Sequence, residues 1–216
     1  MPKVNANKLA INYDQQGSGE PLILIPYLAA DHACYAYQVA DYAKQFTCYT
    51  LDPRGAGDTD KPAGPYSIEL FADDVSAFME ALRIPQAHVS GLSLGAAIGM
   101  WVAAKYPAKV KTLSLHSAWT RTDRFLADIV KSWQLMARGS GSVADVITQG
   151  IFPWCFTIDL YVKQPEVIQG LTDFVRSRPA QPVEAFLQQS DAVPAPTRLS
   201  RPSAATGRYA SPACAW

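Results

Sequence analysis

The stretch HVSGLSLGAA, from His88 to Ala97, places Ser93 two residues from a glycine on either side, Gly91 and Gly95. The β-rich run AHVSG leads into it, and the small-residue run LGAAIGMWVAAKY follows, as in a buried helix. A sharp strand-to-helix turn needs small neighbours, because it strains the backbone and brings its two arms together. The pattern favours a nucleophilic serine over the alternative, an ordinary serine buried in a strand–helix crossing.

Strand and helix patterns alternate outward from this turn. The residues predict strands at 9–17, 21–26, 46–52, 87–91 and 110–118, and helices at 33–44 and 66–83. Ser67 is a plausible N-cap for the second of these helices. The run PLILIP, from Pro21 to Pro26, is apolar throughout, which is typical of a strand buried on both faces. The order predicts a doubly wound α/β domain with a parallel sheet.

The pattern changes after Ala118. Only helical segments follow from Thr120 to about Ser190, interrupted by RGSGS, by Pro153 and by RPAQP. We therefore expect an α/β core at 1–119, a helical cap at 120–190 and an atypical tail rich in proline, arginine and alanine at 191–216. From Pro194 onward the tail has no acidic residue and no lysine. This composition suggests a truncated or altered C-terminus, for example a shifted reading frame.

The overall composition excludes several function classes. The chain has 216 residues, 49% of them hydrophobic, and no net formal charge. Neutrality gives no reason to expect a nucleic acid or an anionic membrane as partner. We find no signal-peptide pattern and no apolar run long enough to cross a bilayer. The four cysteines lack the spacing of a metal site, which favours reduced thiols in a cytoplasmic protein. We expect neither a metal ion nor a cofactor.

Several motifs carry a family resemblance from about residue 4 to 191. GLSLG (91–95) resembles the nucleophile elbow of α/β-hydrolases, and LDPRGAGDTDKP (51–62) resembles the loop after their fourth strand. LILIPYLAADHACY (22–35) resembles their apolar strand and oxyanion loop. GIFPWCFTIDLYVKQPEV (150–167) is similar to the cap of enol-lactonase-like and aminoacrylate-hydrolase-like members. The chain thus resembles the esterase, lactonase and epoxide-hydrolase branch.

This resemblance implies an α/β-hydrolase fold, with a mostly parallel sheet, flanking helices and a helical cap. It implies hydrolysis of a small carboxylic ester or lactone, with Ser93 attacking and the amides of Leu28 and Leu94 holding the oxyanion. Dehalogenases and epoxide hydrolases are disfavoured, since they place an aspartate at the Ser93 position. Tyr27 is a candidate residue of the substrate pocket, and Trp119, Trp154 and Phe156 are candidates for its apolar acyl part.

The sequence departs from the family pattern at the oxyanion loop. Pro26 and Tyr27 stand where members usually carry His-Gly. Tyr27 either crowds the site or offers a hydroxyl to the substrate, and the residues leave both alternatives open. Asp52 and Arg54 are interpreted as structural residues that pin a loop.

The largest departure is the missing general base. In this family the order is serine, then an acid, then a late histidine, but the three histidines, His32, His88 and His116, all lie at or before 116. His32 is expected at the surface or the rim, in the oxyanion loop or at the start of the first helix. His88 begins the nucleophile strand, which at roughly 3.3 Å per residue places it ~16 Å from Ser93. His116, at the end of a neighbouring strand, is a weak candidate for the base.

The acid of the family pattern also has no matching residue at its usual place after the cap. Asp123 is a possible substitute, whereas Asp191 does not match the family's acid. We therefore expect a serine hydrolase whose activity is impaired. The alternative is a non-catalytic binding module or inactive remnant. Without the late strands, an unpaired sheet edge favours self-association.

Overall fold

The computed structural model describes residues 1–193, and the following statements concern these residues. Six strands form one mixed sheet in the order β1-β2-β4-β3-β5-β6. Strands β3 to β6 run parallel, while β2 pairs antiparallel with both β1 and β4. The strands are β1 (Lys3–Ala6), β2 (Leu9–Gln16), β3 (Glu20–Ile25), β4 (Phe46–Leu51), β5 (Ala87–Leu92) and β6 (Val110–His116). The five predicted strands are confirmed as β2 to β6.

Strand β1 was not predicted. It forms a hairpin with β2 through Asn7 and Lys8, whose φ angles are 46° and 61°. Two consecutive positive φ angles are typical of the tight turns that join antiparallel strands. The turn contains no glycine, and β1 has only four residues, so the sequence carried little signal for it.

Strand β3 is buried on both faces, as its continuous apolar run predicts. Ile23 and Ile25 pack in the larger core with the helices that follow β4 and β5. Leu22 and Leu24 point the other way, into a smaller cluster with Tyr35 and others. Because side chains alternate along a strand, one run of isoleucine and leucine supplies both layers.

Three helices flank the sheet: α1 (Ala36–Tyr42), α2 (Ile68–Ala81) and α3 (Leu94–Lys105). The predicted helix at 33–44 begins instead as a 3₁₀ turn, His32–Tyr35, and the side chain of Asp31 caps this turn by accepting a hydrogen bond from the Ala33 amide. The predicted N-cap of α2 is confirmed, since the Ser67 hydroxyl accepts from the Leu70 amide at 3.1 Å.

Strand β6 forms one edge of the described sheet. Leu113 packs beside Gly99 of α3, whereas Thr112, Ser114 and His116 are exposed. Within residues 1–193, β6 pairs with β5 alone. Its other edge therefore presents backbone groups without a described strand partner.

Helices are the only regular secondary structure between β6 and residue 193. They are α4 (Arg124–Ser140), α5 (Val143–Asp145), a π-helical turn (Val146–Ile151), α6 (Phe152–Cys155), α7 (Ile158–Lys163), α8 (Pro165–Ser177) and α9 (Val183–Asp191). The Gln189 side chain of α9 donates to the carbonyl of Arg54, just after β4, at 2.6 Å. This helical segment thus reaches the carboxyl ends of the parallel strands. The domain boundaries at 119 and 190 remain a prediction, and the tail from 194 lies outside the described residues.

Candidate active site

Ser93 lies at a sharp turn between β5 and α3. Its φ and ψ angles are 54° and −114°, a region that residues with a side chain rarely adopt. Strained angles of this kind cost of order 1–3 kcal/mol and persist only where the surrounding structure enforces them. The turn therefore has the geometry expected of a serine held out from the end of a strand, and Ser93 is half-buried there.

The flanking glycines are required by close backbone contacts. A side-chain carbon on Gly91 would overlap the carbonyl oxygen of Gly95, and one on Gly95 would overlap the carbonyl of Ile25 at the end of β3. Strand β5, helix α3 and the loop after β3 therefore meet at this point. The glycine spacing seen in the sequence is explained by this meeting of three backbones.

Two amides are available as oxyanion donors. Leu94 is the first residue of α3, so its amide has no partner within the helix. Leu28 lies in the loop after β3, where the Ala30 amide donates to the carbonyl of Tyr27 at 3.1 Å. No carbonyl of the described residues accepts from the amide of Leu28 or Leu94. This arrangement is compatible with the predicted oxyanion hole, and the assignment of the two residues remains a prediction.

The predicted base, His116, is connected to Ser93 only through the backbone. The Ser93 amide donates to the His116 carbonyl at 2.8 Å. His116 pairs in register with Leu92, and its side chain is exposed. Within residues 1–193, neither the Ser93 hydroxyl nor the His116 ring makes a hydrogen bond.

The other two histidines are committed elsewhere. His88 lies near the start of β5, where its ring contacts Glu20 at 2.8 Å and Thr112 at 2.7 Å. His32 binds Asp52, with 2.7 Å between Nδ1 and Oδ1. None of the three histidines of the chain therefore pairs with Ser93.

The pair formed by His32 and Asp52 was not found from the sequence, which placed His32 only at the surface or the rim. The fully buried Asp52 also accepts hydrogen bonds from the backbone amides of His32 (2.7 Å) and Asp58 (2.9 Å). The hydrogen bond to Asp52 raises the pKa of His32. Burial pushes the pKa of Asp52 up, but the bonds from His32 and Asp58 outweigh it and lower that pKa. The sequence did contain a signal for this pair. His32 follows β3 and Asp52 follows β4, and the carboxyl ends of two neighbouring parallel strands meet at one edge of the sheet.

Arg54 and Asp74 form a second buried pair. The guanidinium donates to both carboxylate oxygens, through Nε at 2.8 Å and Nη2 at 2.7 Å. The pair joins the loop after β4 to helix α2. These contacts agree with a structural role for Arg54.

Asp31, His32 and Asp52 bring potential metal-ligating atoms within 4.8 Å of one another. Arg178, after α8, already lies against this group, with Nε 2.8 Å from Asp31 and Nη2 3.5 Å from His32. A metal ion would have to displace this guanidinium. The residues therefore fit a network of hydrogen bonds better than a metal site.

A cavity of about 220 Å³ lies between the loop after β3 and the helical segment. We call it the Tyr27 cavity. Its walls are Tyr27 and residues 29–31, 34, 57, 141–144, 147, 174–176 and 178–181. Of the predicted pocket residues, only Tyr27 lines it, and Ser93 does not.

The predicted aromatic residues lie elsewhere. Trp119 and Phe156 are half-buried against the core, and the ring of Phe156 packs on Phe152 at 5.2 Å. Trp154 is 56% exposed and packs on Phe125 at 5.9 Å. Their role in an acyl pocket remains a prediction.

The chain is similar in sequence to known proteins over most of its length. A family model for the alpha/beta hydrolase fold matches residues 20–157. A RutD protein from Azorhizobium caulinodans is 28% identical over 152 residues, which cover 70% of this chain and 57% of that relative. The chain thus spans just over half the length of this relative. Among residues 1–193, each helix is too short or too polar to span a lipid bilayer.

Two lactonases are also similar to this chain. The 3-oxoadipate enol-lactonase 2 of Acinetobacter baylyi is 26% identical over 212 residues, which cover 92% of this chain and 75% of that enzyme. The crystal structure of an enol-lactonase from Burkholderia xenovorans superposes with a TM-score of 0.79 at 25% identity, covering 90% of this chain and 74% of that one. The resemblance seen in the sequence motifs is confirmed. Since the family model matches more than half of its 216 residues, the chain belongs to the alpha/beta hydrolase fold family.

Proposed function

We propose that this chain carries the nucleophile and oxyanion hole of a serine hydrolase for small carboxylic esters or lactones. The observation that carries the proposal is the strained turn at Ser93, with φ of 54° between β5 and α3. Two relatives named as enol-lactonases support a lactone as one substrate class. The chain's own residues then define each step of the reaction.

In the proposed reaction, Oγ of Ser93 bonds to the ester carbonyl carbon. The electron pair of the carbonyl moves to its oxygen, which accepts hydrogen bonds from the amides of Leu28 and Leu94. The electron pair then re-forms the carbonyl while the C–O bond to the alcohol breaks, and the alcohol oxygen takes up the proton lost by Ser93. Water next adds to the carbonyl carbon of the acyl-enzyme, the bond to Oγ breaks, and a proton of this water returns to Oγ as the acid leaves. The hydroxyl proton of Ser93 must pass to a base in the first step.

We propose that this base is absent from the 216 residues, which impairs catalysis. The rings of His32 and His88 are hydrogen-bonded elsewhere, and His116 reaches Ser93 through its carbonyl alone. A general base contributes about 10²–10⁴-fold to the rate of such reactions. Water then has to accept the proton, and turnover is slow.

Labelling with a fluorophosphonate, followed by mass measurement of the intact protein, tests the nucleophile. We expect slow labelling at Ser93 that accelerates as the pH rises, and none in Ser93→Ala. Rapid labelling at neutral pH would overturn the proposed absence of a base. No labelling at any pH would overturn the assignment of Ser93 and favour the alternative, a non-catalytic binding module.

We also propose that residues 120–190 act as a cap over the site.

We further propose that the chain self-associates through the edge strand β6. The β6 strand of a second copy of the chain offers backbone donors and acceptors that can pair with those of the first. Ser114, exposed in the middle of β6, gives a direct test. Ser114→Lys should shift sedimentation toward the monomer, whereas Ser18→Lys in an exposed loop should not. Equal sedimentation of the two variants would contradict pairing through β6.

The described cysteines, Cys34, Cys48 and Cys155, are free thiols. Free thiols are usual in a reducing compartment. They support the proposal of a cytoplasmic protein.

A further inference from the structure

The Tyr27 cavity carries more positive than negative charge. Arg176 and Arg178 line it, against a single carboxylate, that of Asp31. Arg178 pairs with Asp31 at 2.8 Å, so among the lining residues Arg176 is left without a carboxylate partner. Its ion-pair partner is Asp145, at 3.5 Å, a carboxylate that does not line the cavity. The cavity therefore favours an anion as its occupant.

Arg178 has hydrogen-bonding capacity to spare. A guanidinium carries five N–H groups. One of them binds Asp31 and another faces the ring of His32 at 3.5 Å, so three remain without an acceptor among residues 1–193. A planar pair of N–H groups matches the two oxygens of a carboxylate.

Tyr27 adds a neutral donor to the same cavity. Its hydroxyl has no acceptor among the described residues, although the residue lines the cavity. Burial raises the pKa of this hydroxyl strongly, so it keeps its proton near neutral pH. The sequence left open whether Tyr27 crowds the site or offers a hydroxyl, and its position favours the second.

The remaining walls limit the size and polarity of a ligand. Val143, Ile147 and Phe174 contribute apolar surface, and the Phe174 ring lies 6.0 Å from the Arg178 guanidinium carbon. A volume of about 220 Å³ is below the 300–1,000 Å³ typical of drug-sized ligands. The ligand is accordingly small, with one charged end and a short apolar chain.

We propose that the Tyr27 cavity binds a small aliphatic carboxylate, whose oxygens accept from Arg178 and the Tyr27 hydroxyl and whose chain packs on Val143, Ile147 and Phe174. Ser93 does not line this cavity, so the site is distinct from the proposed nucleophile. Binding here does not depend on hydrolysis.

Calorimetric titration of the full chain with butyrate tests the proposal, with butyramide as its neutral match. Butyrate should bind at least 10-fold more tightly than butyramide. Tyr27→Phe, which removes only the hydroxyl, should weaken butyrate binding several-fold, as should Arg178→Lys, which keeps the charge beside Asp31 but loses the planar donors. Ser93→Ala should bind butyrate as the parent does, even if hydrolysis fails in every assay.

Several results would overturn this site. They are equal binding of butyrate and butyramide, no butyrate binding at 10 mM, or unchanged binding in both folded variants. If inorganic phosphate bound more tightly than butyrate, the natural ligand of this cavity would be a phosphate and not a carboxylate. Circular dichroism of each variant shows that it is folded. If Arg178→Lys does not fold, Tyr27→Phe and the two titrants decide the question.

Discussion

The amide of Ser93 donates a 2.8 Å hydrogen bond to the carbonyl of His116, and this bond fixes the turn against strand β6. The contact uses the backbone of His116, while its side chain is exposed. His116 therefore helps to hold the turn at Ser93, while its ring makes no hydrogen bond to the Ser93 hydroxyl. The distinction can be tested because a side-chain substitution leaves the carbonyl in place.

His116→Ala should label with a fluorophosphonate at the rate of the parent, within about twofold. The substitution removes the ring but retains the bond to Ser93. Intact-protein mass spectrometry over time measures the rate, with Ser93→Ala as the unlabelled control. A loss of labelling of 10-fold or more in a folded variant would identify the His116 ring as a base.

Gly95→Ala should destabilise the protein by more than about 3 kcal/mol or prevent folding, because the new carbon overlaps the backbone of Ile25. Gly139→Ala is the matched control. Gly139 lies inside helix α4, and apart from its chain neighbours and the backbone of this helix no described atom lies within 4 Å of the added carbon. The control should gain about 0.5–1 kcal/mol. Urea unfolding measures both, and similar midpoints for the two variants would contradict the close contact at Gly95.

Much of the core could be predicted because local pattern and tertiary environment agree there. The apolar run of β3 is buried on both faces, and Ser67 caps α2. The turn at Ser93 was predictable because close backbones leave room only for glycine at 91 and 95.

The remaining features depend on contacts between distant residues. Strand β1 exists because Asn7 and Lys8 tolerate positive φ angles in a hairpin, which their residue types do not signal clearly. The contact of Arg178 with Asp31 joins residues 147 positions apart. The Tyr27 cavity depends on this docking of the helical segment, so no local pattern could reveal it.

The coupling between His32 and Asp52 should depend on pH. The pKa of His32 is raised, so its stabilising charge is fully present below its ordinary value of 6.5 and is lost as the pH rises through the folded-state value. The pKa of Asp52 is lowered from 3.8, so its contribution is present above 3.8 and is lost as the pH falls through the folded-state value. The pair should therefore stabilise the fold most between these two ordinary values.

A double-mutant cycle with His32→Gln and Asp52→Asn measures this coupling. The coupling free energy from urea unfolding should be larger at pH 5.5 than at pH 9. Equal coupling at the two pH values would show that the charge of His32 does not contribute. The double variant corrects for the lost contacts of Asp52 with Asn12 and Asp58.

The most direct test of a nucleophile without a base is chemical rescue. The half-buried Ser93 is accessible to a small base in solution. Release of p-nitrophenol from p-nitrophenyl acetate is followed at neutral pH with increasing imidazole, and the rate with Ser93→Ala is subtracted. We expect this difference to be near zero without imidazole and to rise as imidazole is added. Turnover by the parent at 1 s⁻¹ or faster without imidazole, within the roughly 1–10³ s⁻¹ usual for enzymes, or a difference that imidazole leaves unchanged, would contradict it.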